Sequence, residues 1–404
     1  MNKYIILIIG LGYISALQSQ SVDEFIAMAL DNNKGLEAIR LNYKAAKTKA
    51  DQVADFPDPK INLGIGVLPI ETRLGAQRFK IGVTQALPWK GLLNARKEAV
   101  ASKAEVMAYL DEVKEIDIEF EIRKAYSTLI YLEDKKSIVR SKLDILDVLE
   151  ELAKSALRSG KGKLSNVLFI QRTREAIISD LHLLQKQKES PTIMINRWTG
   201  RNLKEAIDII PLVSQISNMD IHISYAESGH PSFNVLESES KASKKSVDLI
   251  KYERKPKIGV GLDYAFIDRR DGVELIGNGR DVLMPMGSIS IPIHTGRFEA
   301  RKQEDKLKQE AILAKMEDLK DRYKAEIYKA ISDIEYGEME VKKMKGLTDI
   351  TKETLKLLRT EYASEGTKFE ELLRLEMELV EYDLVVAKTI YKRLLAKAVL
   401  AKYQ

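Results

Sequence analysis

The residues able to do chemistry are few in this sequence and poorly spaced for it. Cys is absent, which excludes disulfides, Cys-ligated zinc, iron–sulfur clusters, thiol catalysis and acylation of an N-terminal cysteine. The four histidines, His182, His222, His230 and His294, lack metal-ligand spacing. Met284-Pro285-Met286 sets two thioethers two residues apart, a soft-metal contact in principle and ordinary packing by default. Gly64-Ile65-Gly66 and Gly259-Val260-Gly261 look like the opening of a phosphate loop. No helix follows either one directly, and the second half of the fingerprint is missing. Carboxylate pairs such as Glu370-Glu371 fall on charged helix faces, as do Lys241, Lys244 and Lys245. No nucleophile–base set emerges, so the expectation is a protein that is not an enzyme, with no cofactor and no metal site.

Composition narrows the remaining classes. The chain has 404 residues, 45% hydrophobic and 31% charged, and a net charge of +5 with both signs interspersed. This allows a large core and offers no one-sided basic face for nucleic acid. Residues 1–20 read as an export signal: Lys3, an apolar run from Tyr4 to Tyr13, then small and polar residues. The run is too short to span a bilayer as a helix, which takes about 20 apolar residues. No later segment is long and apolar enough either.

The elements that follow repeat. Pro59-Lys60-Ile61 recurs as Pro256-Lys257-Ile258, Gly91 with Ala95-Arg96 recurs as Gly296 with Ala300-Arg301, and Gly162 before Val167-Leu168 recurs as Gly366 before Glu371-Leu372. The order is kept and the offset is nearly constant, the mark of a duplicated unit. The first repeat covers 21–200: a helix over about 21–55, strands at 60–68 and 78–87, and long helices over 92–197. A linker follows at 201–230. The second repeat covers 231–404, with a helix, strands at 257–266 and 282–293, and long helices over 296–404. At 1.5 Å per residue the stretch 92–136 alone is roughly 65 Å long. A helix of that length needs a partner along it, so long antiparallel coiled coil is expected.

The strands alternate. Ile61, Leu63, Ile65 and Val67 are separated by Asn62, Gly64 and Gly66, and Ile258, Val260 and Leu262 by Gly259 and Gly261. One apolar face and one small or polar face on strands of about ten residues suit a membrane β-barrel, with these seven apolar residues toward lipid. Four strands cannot close a barrel, whose smallest membrane form has eight, and an open edge cannot face lipid. Several chains must therefore share one barrel.

The signal, the duplicated plan, the Pro-Lys-Ile strand starts and Gly366-Thr367 in the last helix together resemble the TolC-type outer membrane efflux proteins over essentially the whole mature chain. The resemblance implies a mainly α fold with a β-barrel part. Long antiparallel coiled-coil helices and four transmembrane strands per chain would close as a twelve-stranded barrel and helical tunnel in a homotrimer. It implies an outer membrane exit duct with its tunnel in the periplasm, working with a periplasmic adaptor protein and an inner-membrane transporter. Leu87-Pro88-Trp89-Lys90-Gly91 resembles members that serve heavy-metal pumps, beside others that export drugs or proteins.

The resemblance also places the tunnel tips, at 132–137 and 334–340. Glu133, Asp134, Asp333, Glu335 and Glu338 would then form carboxylate rings that gate the mouth and favour cations. Loops at 69–77 and 268–280 would face outward. The other reading is a periplasmic coiled-coil adaptor or scaffold without a membrane barrel.

Overall fold

The computed structural model describes residues 21–209, 229–365 and 368–403. The export signal and Gly366-Thr367 lie outside them, as does most of the expected linker. The elements in chain order are α1 (Val22–Asn32), α2 (Lys34–Gln52), β1 (Lys60–Thr72), β2 (Gly75–Leu87), α3 (Leu92–Arg158), α4 (Leu164–Gln187), α5 (Glu189–Thr199), α6 (Pro231–Glu253), β3 (Lys257–Ile267), β4 (Val282–Ser290), α7 (Gly296–Glu365) and α8 (Phe369–Ala401). They form two compact units that cut across the sequence repeats. One takes 21–36, 114–209 and 322–403, and the other takes 37–113 and 229–321.

The first unit is all helix. The expected single helix over 21–55 is broken at Asn33, whose Oδ1 accepts from the Gly35 and Leu36 amides at 2.9 and 3.2 Å. An Asn side chain that satisfies the orphan amides of a new helix start stops one helix and begins the next. Around it, Phe25, Ile26 and Ala29 of α1, Ile118, Ile122 and Tyr126 of α3, and Ile195 of α5 make one core. A second core joins Leu146 and Leu149 of α3, Ile170 of α4, Leu358 of α7 and Leu372 of α8. Each helix thus buries a narrow stripe against neighbours along its length, the packing such rods require.

The expected tips do not exist. α3 runs unbroken through 132–137 and α7 through 334–340. Gly337 lies within α7 because the Arg393 side chain crosses directly over it; a Cβ there would stand 2.6 Å from Arg393 Cγ. The turn between α3 and α4 is at 159–163. There Gly160 takes φ 71°, and the amides of Lys161 and Gly162 both donate to the Ala156 carbonyl at 2.9 Å, closing the helix end. In the second hairpin α7 ends at Glu365, and Lys368, with φ 60°, leads into α8.

The second unit holds one antiparallel sheet in the order β1-β2-β3-β4, with α3, α6 and α7 packed by their own links. Lys245 and Lys241 of α6 reach Glu98 and Glu105 of α3 at 2.7 and 2.8 Å, and Ser243 Oγ donates to the Asp305 carbonyl of α7 at 3.2 Å. All four strands occur where alternation put them, and β1 and β2 are longer than expected. The expected loop at 69–77 is mostly strand: only Arg73 and Leu74 separate β1 from β2, with Thr72 opposite Gly75. Gly75 takes φ 136°, and a Cβ on it would collide with the Asp268 backbone. The register slips between Ile65 and Ile70, so Val67 stands in a bulge, off the ladder.

Truncating Leu146, which is fully buried among α3, α4, α7 and α8, should cost about 2–5 kcal/mol. A Leu146→Ala protein that melts with the parent would mean this helical core closes without it.

Candidate functional site

The sheet divides its residues by face. Ile61, Val83, Leu262 and Pro285 run across it in register, then Leu63, Ile81, Tyr264 and Leu283, then Ile65, Phe79 and Phe266. This face is uncovered: Ile61 and Leu63 are each 66% exposed and Ile65 77%. Val260 and Leu262 are exposed and Ile258 is half-buried, while Val67 is 92% exposed within the bulge. Of the seven residues expected to face lipid, six therefore share one face by register; Val67 is the exception. At the loop end the face finishes in an aromatic cluster, with Phe79 and Phe266 centroids 5.3 Å apart and Tyr264 and Phe266 4.9 Å.

The opposite face is small and polar: Asn62, Gly82, Asp263 and Met284 in one row, Gly64, Lys80, Ala265 and Val282 in the next. Asp263 is 2% exposed and forms an ion pair with Lys80 of the neighbouring strand. Its carboxylate lies over Gly82, where any Cβ would strike Oδ1. The pattern of alternating glycines identified the face but not this pair. Its signal was one Lys and one Asp on otherwise small faces of β2 and β3.

The loop after β3 is built rather than loose. The Tyr264 hydroxyl donates to Asp281 at 2.6 Å, the Ile267 amide to the same carboxylate at 2.9 Å, and Arg270 reaches Glu71 at 3.0 Å. Asn278 accepts from the Arg270 amide at 2.8 Å and donates to its carbonyl at 2.9 Å.

The five expected gate acids stand in mid-helix, in two environments. Glu133 pairs with Lys188, between α4 and α5, and Glu338 holds Arg393 of α8 at 3.0 Å. Burial, and then the Arg393 guanidinium, pull the neighbouring Lys397 ammonium below its usual range, while Glu338 opposes the shift. Asp134, Asp333 and Glu335 are exposed and have no ion partner among the described residues. Asp333 lines a groove of about 660 Å³ with Phe120, Tyr336, Gly337 and Leu395. The hairpin ends, which the expected tips missed, carry a different set. Phe169 of α4 and Phe369, Leu373 and Met377 of α8 line a groove of about 550 Å³, with Asn166 and Arg374 at its polar side. Gly160 and Gly162, the only glycines between Gly91 and Gly200, were the signal for that turn.

Met284 and Met286 are both exposed on the polar face of β4. Among the described residues no group of three or more His, Asp or Glu is placed to hold a metal, and no helix is long and apolar enough to cross a membrane.

No family model matches the sequence, and no curated protein matches it. Solved structures do match. The outer-membrane channel OprN superposes with a TM-score of 0.77 at 18% identity, over 95% of this chain and 89% of that one. CusC, described for its folding and transmembrane channel formation, gives 0.76 at 16% identity, over 94% and 90%. The outer membrane protein VceC from Vibrio cholerae gives 0.72 at 14% identity, over 94% of each chain. The chain has the fold of these outer-membrane channels, the TolC-type fold.

Replacing Gly82 by Ala should push the Asp263 carboxylate off Lys80 and cost about 1–3 kcal/mol. Gly64→Ala, on the same face but 3.8 Å from the nearest atom, should melt with the parent. Equal melting temperatures for both variants would remove the pair from the fold's constraints.

Proposed function

We propose that the protein is the outer membrane exit duct of a tripartite efflux or secretion system. Three copies would pair edge to edge into a twelve-stranded barrel, and their helices would line a tunnel across the periplasm. The observation that carries this is the uncovered apolar face, which crosses all four strands and ends at two unpaired edges, β1 and β4. In hydrocarbon each unpaired backbone group costs several kcal/mol, so such a sheet is complete only beside copies of itself. The likeness to OprN, CusC and VceC favours the duct over an adaptor without a barrel. Cargo moves passively; a periplasmic adaptor and an inner-membrane pump supply partners and energy.

The acids take a changed role in this reading. Glu133 and Glu338 cross-link helices, while Asp134, Asp333 and Glu335 leave charge for the tunnel wall. Closure passes to the hairpin ends near 159–163 and Lys368.

Purified in detergent, the protein should have the mass of three chains. Cysteines placed at Leu63 and Val260 should react with a lipid-soluble reagent well before one at Gly64. A stable monomer, or equal labelling of both faces, would sink the barrel. In planar bilayers, Asp333→Ala combined with Glu335→Ala should lower the preference for cations over anions. A selectivity identical to the parent would show that these two carboxylates do not face the conducted ions.

A further inference from the structure

Two aromatic rings and Lys255 meet where β2 passes into α3 and α6 into β3, and Lys90 follows Trp89 in the chain. The corner Pro88-Trp89-Lys90-Gly91 closes tightly: Gly91 takes φ 90°, and a Cβ there would lie 3.0 Å from the Tyr252 ring. The Trp89 indole N–H donates to the Pro256 carbonyl, tying the corner to the head of β3. The Lys255 ammonium lies over both rings, 5.6 Å from the Trp89 centroid and 5.0 Å from that of Tyr252.

Charge there is unbalanced. Glu253 holds Arg301 and Glu299 holds Arg254, so the carboxylates beside the corner are occupied. Lys90 and Lys255 are exposed and have no ion partner among the described residues. Asp55 and Asp58 belong to the approach to β1, across β2 from Tyr252 and Lys255.

Position adds the second argument. Leu87 and Ile258, which face each other in the ladder, end the apolar face at this corner, and Phe266 ends it near the loops. The eight steps from Ile258 to Phe266 span about 26 Å along the strand, which at the roughly 35–45° tilt of membrane-barrel strands is roughly 20 Å of height, most of an apolar band about 25 Å tall. Trp and Tyr collect at the two edges of such bands, and Lys side chains reach from there to headgroup phosphates. The corner stands at the helical end of the band, the end that faces the periplasm.

We propose that Trp89, Lys90 and Lys255 form an anchoring site for the headgroup phosphate of an anionic phospholipid in the periplasm-facing leaflet. The proposal rests on the barrel reading above. The rings hold the Lys255 ammonium in place before lipid arrives, so little side-chain freedom is lost on binding. Lys90, one residue from Trp89, supplies a second charge.

The test is native mass spectrometry of the full-length protein in detergent, titrated with phosphatidylglycerol or with phosphatidylcholine of the same chains. The parent should retain phosphatidylglycerol and release phosphatidylcholine. Each removed lysine should weaken retention roughly five-fold, the effect of one basic residue at an anionic surface. Lys90→Gln and Lys255→Gln should therefore act singly and add when combined, while Lys255→Arg should retain the lipid. The single Lys90→Gln change sits on an exposed side chain and keeps the test valid if the double variant folds poorly. Unchanged retention in Lys90→Gln and Lys255→Gln would overturn the proposal. So would displacement of the lipid by inorganic phosphate at equal concentration, which would make this a soluble-anion site. Flotation with vesicles separates the two readings. Failure of the parent to float sinks the barrel and the lipid site together, while flotation without lipid preference sinks the lipid site alone.

Discussion

A four-stranded antiparallel sheet has two edges, and everything else about this protein follows from what can cover them. β1 and β4 each present a row of backbone donors and acceptors, and the sheet between them turns an uncovered row of Ile, Leu, Val and Phe outward. In water that surface would seed association, and in lipid the edges would be intolerable. Neither solvent accepts one copy alone. The duct proposed above answers both at once, with the face to lipid and each edge against the next chain's opposite edge.

The helices meet the same demand by a different route. α3 and α7 bury their core residues against α4 and α8, yet α7 leaves Tyr336, Met339, Ile350 and Leu357 exposed, each more than half uncovered. The gaps between them are three, eleven and seven residues, which place all four at the a and d positions of one heptad register, a second coiled-coil seam. A rod with one seam filled by its own chain and another left open is built to pack against a neighbouring rod. Sheet and helices thus both leave apolar surface open, as the proposed assembly of several copies requires.

How far this was legible depended on how local each signal is. Strand alternation needs only neighbouring residues, and β1 to β4 lie where Ile61, Phe79, Ile258 and Ile289 put them. Turns are harder, because a charged run and a glycine mean little without the partner helix. Gly337 amid acids looked like a stop, but Arg393, 56 positions on in the chain, lies across it and requires its small size inside a helix. The true stop after α3 needed a left-handed residue, and Gly160 provides it. After α7, among the described residues, the left-handed one is Lys368, which no propensity would suggest, since φ above zero is uncommon for a long side chain. The slip after Ile65 was hidden for a similar reason: alternation in the sequence continues through Val67, and only the register against β2 reveals the bulge.

The Lys80–Asp263 pair shows what the duplication adds. Lys80 lies on β2 of the first repeat, and Asp263 on β3 of the second. These are the two inner strands, where the halves meet. A buried ion pair is weak evidence for stability, since desolvation offsets most of the attraction. Its stronger effect is on register. Sliding β3 by two residues along β2 would keep every apolar side chain on the same face, so the hydrophobic pattern alone does not forbid it. That slide would, however, carry the Asp263 carboxylate away from Lys80 and from the space that Gly82 leaves open. Buried without either, the charge would cost several kcal/mol. The pair therefore fixes the joint between the two hairpins, β1-β2 and β3-β4, and with it the register in which β1 and β4 stand as the edges of the sheet.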